Sequence, residues 1–248
     1  MNRILCAAAL AALASAPAAA APVKKVPPAL NPAKAYVLVE YRLLKNPYGG
    51  FPGSKKTMPL NTGLFLARYD AEANDIRGLG KAKDNPVPAG EQTGEGFRNK
   101  PIAKGEGSRL FLLEVDPGLW VVQGFGNTSF SLGSYAFELA PGEVTDLGVV
   151  AAENDWAEGQ KPPNAGSVFK MALAGPFAKG PAMAPMRLSF RPRESGDLAL
   201  PAGLPADKVK PVTFVPGATF GNYLGSLVNR IEGVNARLKA EAAVETSE

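Results

Sequence analysis

Carboxylates, lysines and tyrosines are the side chains with which this chain could do chemistry. The sequence has no histidine and one cysteine, Cys6, which lies in an apolar stretch near the N-terminus. A chain that loses this stretch has neither an imidazole base nor a thiolate, which excludes Ser-His-Asp and Cys-His catalysis. Zinc and copper sites built on imidazole or thiolate are excluded for the same reason. We therefore predict a protein that is not an enzyme, with no catalytic residue, no metal site and no cofactor.

The acidic side chains leave one catalytic alternative open, a glycosidase that uses a pair of carboxylates. A retaining enzyme of this kind needs two carboxyl groups about 5 Å apart, and an inverting enzyme needs them farther apart. Nothing in the sequence places any two of these acids in a cleft. The candidates are Glu114, Asp116, Glu138, Glu143, Asp146 and Asp155.

Aromatic and basic side chains are the candidates for contact with a ligand. An exposed aromatic ring packs well on the apolar face of a sugar or on proline, and an arginine can contact an anion. Each of these residues has a structural alternative, as a core residue, as a plug over a sheet edge, or as a charge that protects an edge strand from pairing. The candidates are Trp120, Tyr135, Trp156 and Arg191.

Residues 109–150, which come between polar and proline-rich stretches, read as several short strands joined by tight turns. Side chains alternate along a strand, so Leu110 and Leu112 should face one side and Phe111 and Leu113 the other, with both sides covered. Asp116-Pro117-Gly118 and Pro141-Gly142 have turn sequences, after which we expect the chain to return. This spacing predicts a mainly β protein, an antiparallel β-sandwich with long loops and one C-terminal helix.

The chain divides into four parts. Residues 1–20 have the charge, apolar run and small residues of a secretory signal peptide, cut after Ala20. Residues 21–34 form a lead-in rich in proline and alanine, and residues 35–220 form the β-sandwich domain. On the first strong strand of this domain, Glu40 and Arg42 are expected to face solvent. Residues 221–242 carry an apolar stripe at helical spacing, which predicts an amphipathic helix; the stripe contains Tyr223, Leu224, Leu227, Val228, Ile231, Val234 and Leu238.

The charge balance argues against nucleic acid as a partner. The 248 residues contain 27 Lys and Arg and 23 Asp and Glu, a net charge of +4. The predicted leader carries only Arg3, so its removal leaves about +3. The basic residues are scattered and form no stripe of the kind that contacts phosphates. The leader's apolar run is too short to span a bilayer, so we expect no transmembrane segment after processing.

Two segments within residues 109–150 resemble sequences of a known protein family. Glu114-Val115-Asp116-Pro117-Gly118-Leu119-Trp120 has a Pro-Gly-aromatic hairpin, and residues 137–148 (FELAPGEVTDLG) follow it. Together they resemble a family of uncharacterised bacterial envelope proteins built on a small β-sandwich domain. The resemblance covers roughly residues 64–150 and implies a fold and a compartment, without an activity.

These observations favour an exported protein, periplasmic or secreted, that does not catalyse a reaction. We expect it to bind an envelope protein or a polysaccharide through its loops and a sheet edge. The alternative is a carbohydrate-active protein, either a glycan-binding module or a glycosidase with paired carboxylates.

Overall fold

The structure, a computed structural model, describes residues 21–23, 25–43, 57, 63–87, 94–96, 101–157 and 184–231. These residues are mainly β, as predicted, and the two 3₁₀ helices, Gly80–Ala82 and Ala206–Lys208, have three residues each. The strands, in chain order, are β1 (Ala21–Pro22), β2 (Ala35–Arg42), β3 (Leu64–Asp70), β4 (Asp75–Ile76), β5 (Gly94–Gly96), β6 (Ala103–Gly105), β7 (Ser108–Val115), β8 (Gly118–Phe125), β9 (Thr128–Ser129), β10 (Ser134–Leu139), β11 (Val144–Asn154), β12 (Met186–Arg191), β13 (Val209–Pro211), β14 (Val215–Ala218) and β15 (Leu227–Val228).

The first sheet has the strand order β1-β7-β2-β11-β12. Strand β6 pairs with the same edge of β7 as β1, and β13 pairs with the same edge of β11 as β12. The sheet is mixed, because β11 runs parallel to both β2 and β13. The expectation of a purely antiparallel arrangement is therefore wrong for this sheet. Strands β2 and β11 begin at the same end, where the N–H of Gly142 donates to the carbonyl of Lys34 at 2.7 Å.

The second sheet has the strand order β14-β10-β8-β3-β4. Strand β5 pairs with β3, and β9 pairs with β8 and, in parallel, with β15. Strand β8 lies in the middle, antiparallel to both β3 and β10.

The two Pro-Gly turns carry the chain from one sheet to the other. Strand β7 belongs to the first sheet and β8 to the second, so Asp116-Pro117-Gly118 is not the loop of a hairpin. Pro141-Gly142 likewise leads from β10 in the second sheet back to β11 in the first. The prediction that the chain returns beside the strand it has left is therefore wrong at both turns. A turn sequence specifies local dihedral angles, whereas the choice of neighbouring strand depends on which faces are apolar.

A single apolar cluster lies between the sheets and contains residues of both. It includes Phe111 and Leu113 from β7 and Trp120 from β8, each with 1% or less of its surface exposed. Leu110 and Leu112 point the other way, into a separate cluster on the outer face of the first sheet. The prediction that β7 is covered on both faces is confirmed. Burial of each of these side chains contributes roughly 1.5–3 kcal/mol.

The predicted C-terminal helix is wrong for its described part, residues 221–231. Leu227, Asn229 and Ile231 donate their N–H groups to carbonyls of residues 127–133, and this alternation is that of a strand. Gly225 has φ +59°, a left-handed conformation that no α-helix contains. The predicted apolar stripe is not buried as a unit, because Ile231 is fully buried while Leu227 and Val228 are exposed. Residues 232–242 of the prediction lie outside the described residues.

No helix in the described parts of the chain is long and apolar enough to cross a lipid bilayer.

Candidate binding cleft at the edge of the first sheet

Strands β12 and β13 share one edge of β11 and leave a gap between them. Strand β13 pairs with β11 as far as Asp146, and β12 pairs with it from Val149 onwards. Leu147 and Gly148 lie in between, and a cleft of about 310 Å³ opens beside them. This volume is at the lower end of the range for ligand sites, enough for one large apolar group.

Gly148 shapes the gap through its backbone. Its φ is +77°, which favours glycine, and a Cβ at this position would overlap the carbonyl oxygen of Arg191. Its N–H donates to Asp146 Oδ1 at 2.9 Å. The pairing of β11 with β2 shifts register between Asp146 and Val149, so this segment bulges out of the regular ladder.

Aromatic rings form the floor of the cleft. The ring of Phe214 lies 4.8 Å from that of Phe190 and 4.8 Å from that of Tyr135, on which it is stacked. Phe137, from the main core, meets Phe214 edge-on at 5.8 Å. Pro192 and Pro211 are exposed at the rim. The apolar residues that line the cleft are Leu147, Val209, Val212, Phe190, Phe214, Pro192 and Pro211.

Arg193 lies at one side of the cleft and is neutralised by two acids. Its Nε and Nη2 contact the Asp146 carboxylate at 3.0 and 3.1 Å, and its Nη1 donates to Glu40 Oε2 at 2.7 Å. Burial alone lowers the pKa of Arg193, but the hydrogen bonds and charges of Asp146 and Glu40 outweigh it and raise the pKa. The guanidinium is therefore charged and fully engaged.

Arg191 is held in a second ion pair. It contacts Asp197 with both terminal nitrogens, at 2.6 and 2.7 Å, and Arg42 reaches the same carboxylate at 2.6 Å. The hydrogen bonds from Arg191 lower the pKa of Asp197, helped by the N–H of Glu194 and the charge of Arg42 against the effect of burial. The cleft therefore presents an apolar floor between balanced charges, with no excess charge to attract an anion.

Glu40 corrects an expectation from the sequence. It is fully buried, where the alternation along β2 suggested a solvated face. The segment after β12 passes over it, and both Arg193 and the N–H of Leu198 donate to its Oε2. Its Oε1 has no hydrogen-bond partner among the described residues. Arg42 is exposed, as expected.

The structure brings two of the four predicted contact residues to this cleft. Arg191 lines it, and Tyr135 packs against the two phenylalanines of its floor. Trp120 is fully buried in the core, where its Nε1 donates to the carbonyl of Asp116 at 3.0 Å. Trp156 is partly buried after the end of β11 and does not line the cleft.

Phe190 and Phe214 are the cleft residues that sequence reasoning did not single out. The ring of Phe190 is partly buried and packs against the core cluster. Phe214 lies in a short stretch between β13 and β14. In the sequence, Val212 and Phe214 stand on either side of the polar Thr213 after Pro211, which indicates a strand face. No local pattern indicates that this face packs beside β12.

Four of the six acids considered for catalysis, Glu114, Asp116, Asp146 and Asp155, accept hydrogen bonds from neighbouring side chains or pair with them. Glu114 Oε2 accepts a hydrogen bond from Tyr36 at 2.8 Å, and Asp116 is paired with Lys34. Asp155 accepts a hydrogen bond from Asn229 at 2.9 Å. Within the described ranges, no three acidic side chains come together in a way that could hold a metal ion.

Comparison of the chain with protein-family models, with curated proteins and with solved structures found no match in any of the three.

Proposed function

We propose that this protein is an exported, non-catalytic binding protein of the cell envelope. Its two sheets form a β-sandwich, and the cleft between β12 and β13 receives an apolar side chain of a partner protein. The leader-like sequence of residues 1–20 supports export, with a mature chain that begins at Ala21.

The observation that carries the proposal is the aromatic floor of the cleft beside neutralised arginines. Interfaces gain most of their affinity from a few large apolar groups that enter a preformed pocket and exclude water. Phe190 and Phe214 supply such a floor, and the surrounding ion pairs fix its shape without a net charge. An apolar side chain fits this site better than a charged or strongly polar ligand does.

The ion pairs also argue against the glycosidase alternative. Among the described residues that line the cleft, Asp146 is the one acid, and Arg193 contacts both of its oxygens. Both oxygens of this carboxylate are thus occupied by the guanidinium and are not directed at a ligand in the cleft. A glycosidase would need a second acid facing it across the cleft.

Site-directed photocrosslinking in the envelope tests the proposal. A photoreactive amino acid at exposed Pro211, in the full chain expressed with its leader in the native host, should crosslink to a protein that mass spectrometry then identifies. The same amino acid at exposed Lys104, outside the cleft, is the control. The identified partner is then purified and its affinity for residues 21–248 is measured.

A matched pair of substitutions locates the contact. Pro211→Glu puts a charge at the rim and should weaken binding of the purified partner at least tenfold, because a charge is costly to desolvate. Thr213→Glu adds the same charge at an exposed position that does not line the cleft and should leave the affinity unchanged. The absence of a crosslink at position 211, or equal affinities of the two variants, would exclude this cleft as the binding site.

A further inference from the structure

A second site lies on the other sheet, around an aromatic ring that is both exposed and fixed. Tyr223 is 40% exposed, and its hydroxyl donates to Asp75 Oδ2 at 2.9 Å. The Asp75 carboxylate is buried and also accepts the N–H groups of Ile76, Lys81 and Gly221, at 2.9, 2.9 and 3.1 Å. The carboxylate is thus held from four directions and the ring is anchored through it.

Two glycines make room for this ring. A Cβ at Gly80 would overlap the Tyr223 hydroxyl, and a Cβ at Gly221 would lie 2.5 Å from Tyr223 Cζ. The two glycines therefore leave space for the Tyr223 ring and Asp75 accepts its hydrogen bond, while the ring stays partly exposed to solvent. A core residue would be buried by such an arrangement, whereas a binding platform needs the ring face to stay exposed.

A cavity of about 480 Å³ opens beside the ring and contains an unpartnered polar group. Gln123 lines this cavity, is 9% exposed, and its side-chain amide makes no hydrogen bond with any described residue. The amide atoms reach solvent in the cavity, where a ligand can both donate to the group and accept from it.

The other residues of the cavity offer both polar and apolar contact. Arg77 uses its Nε to donate to Asn85 Oδ1 at 3.2 Å, and its two terminal nitrogens have no partner among the described residues. Leu79 is 41% exposed beside the ring, and Ile76, Pro86 and Val87 complete the apolar wall.

We propose that this cavity binds a saccharide unit, with the face of Tyr223 against the C–H face of the sugar ring. The Gln123 amide both donates and accepts, and the Arg77 guanidinium adds further donors, a combination that suits neighbouring sugar hydroxyls. The site is separate from the cleft between β12 and β13 and does not depend on the function proposed for it.

A proline-rich peptide is the other ligand that packs on exposed tyrosine. Grooves for such peptides are lined by several aromatic residues, whereas Tyr223 is the single aromatic residue among the described residues that line this cavity. A run of prolines offers carbonyl acceptors to the Arg77 guanidinium but no N–H to the Gln123 amide oxygen, whereas a sugar hydroxyl can donate to that oxygen. The saccharide therefore fits the polar groups and the ring together.

The test measures binding of residues 21–248 to an array of neutral and acidic oligosaccharides and isolated envelope polysaccharides, with a proline-rich peptide as a separate arm. Oligosaccharides and polymers are scored separately, to distinguish a free sugar from an envelope glycan. Affinity for any bound saccharide is then measured by titration calorimetry, and the thermal midpoint of each variant is recorded.

Gln123→Leu is the decisive variant. We expect saccharide affinity to fall at least tenfold while the thermal midpoint does not fall, because the Gln123 amide lines the cavity and makes no hydrogen bond within the described part of the protein. Tyr223→Ala should lose binding to the same extent. Leu79→Ala should weaken binding, whereas Leu132→Ala, the same change at a 48% exposed leucine outside the cavity, should not.

Three results would overturn the proposal. They are the absence of saccharide binding, binding of the proline-rich peptide alone, and a lower thermal midpoint for Gln123→Leu, which would make the amide a structural group. If Tyr223→Ala does not fold, Arg77→Gln takes its place, with the same expected loss of affinity.

Discussion

Arg193 is the residue whose replacement tests the arrangement around the cleft most directly. It joins three elements, because it lies after β12 and contacts Glu40 on β2 and Asp146 on β11. Its side chain is 13% exposed, that of Asp146 is 12% exposed and that of Glu40 is fully buried. Arg193→Met keeps most of the apolar stem and removes the charge, which leaves two acids without their cation.

The expected loss of stability is about 3 kcal/mol. Breaking a buried ion pair by removing one partner costs about 3–5 kcal/mol, and the partial exposure of Arg193 places the effect at the lower end. For a chain of this size, that corresponds to a fall in thermal midpoint of about 6–12 °C. Urea unfolding of residues 21–248, followed by circular dichroism, measures the free energy.

A double-mutant cycle separates the ion pair from packing. Glu40→Gln should destabilise the wild-type protein but be neutral or stabilising in the Arg193→Met background, where it removes an uncompensated buried charge. Arg187→Met is the control, because the pair of Arg187 and Glu153 is 47% and 68% exposed and is worth about 0–1 kcal/mol. Equal effects of Arg193→Met and Arg187→Met, or strict additivity with Glu40→Gln, would refute the reasoning.

Two further outcomes follow from the same region. Gly148→Ala should destabilise the protein by about 2 kcal/mol or more, because alanine disfavours φ +77° and its Cβ would overlap the Arg191 carbonyl oxygen. Gly203→Ala is the control: its φ is also positive, but nothing lies near the added Cβ, so the loss of stability should be smaller. Equal urea midpoints for the two variants would contradict this. The lowered pKa of Asp197 means that its ionised form stabilises the folded state above the unfolded value of about 3.9, and that this contribution is lost as pH falls towards the folded value. The difference in urea midpoint between wild type and Asp197→Asn should therefore be constant from pH 7 to about pH 5 and shrink below about pH 4; a difference that does not change with pH would show that Asp197 does not act through its charge.

Strands could be predicted where the alternation of side chains within one short stretch is enough to identify them. The alternation of Leu110, Phe111, Leu112 and Leu113 gave the two faces of β7, because strand periodicity is a local property. The C-terminal segment shows the limit of that approach. The spacing of its apolar residues fits a helix. Its conformation is instead decided by pairing with β9, about a hundred positions earlier, which no local pattern reveals.

The cleft could not be predicted for a related reason. Phe190 and Phe214 become neighbours because β12 and β13 share one edge of β11, and no local pattern specifies which strand takes which part of that edge. Glu40 and Arg193 are 153 residues apart in the sequence. The unpartnered amide of Gln123 is equally invisible in the sequence, since its environment comes from β4 and from the segment that contains Tyr223.

The outer edge of β7 is closed by two fragments of chain that are distant in sequence, β1 and β6. The β1 part consists of Ala21 and Pro22, with one more backbone hydrogen bond from Val23 to Leu112 at 2.9 Å. If the leader is cut after Ala20, the newly made amino terminus begins directly in this strand. A chain that began only three residues later would leave the main-chain groups of residues 112–114 unpaired on this edge, where a second copy could pair with them. The position of the first residue would thus decide whether the chain itself closes this edge of the first sheet.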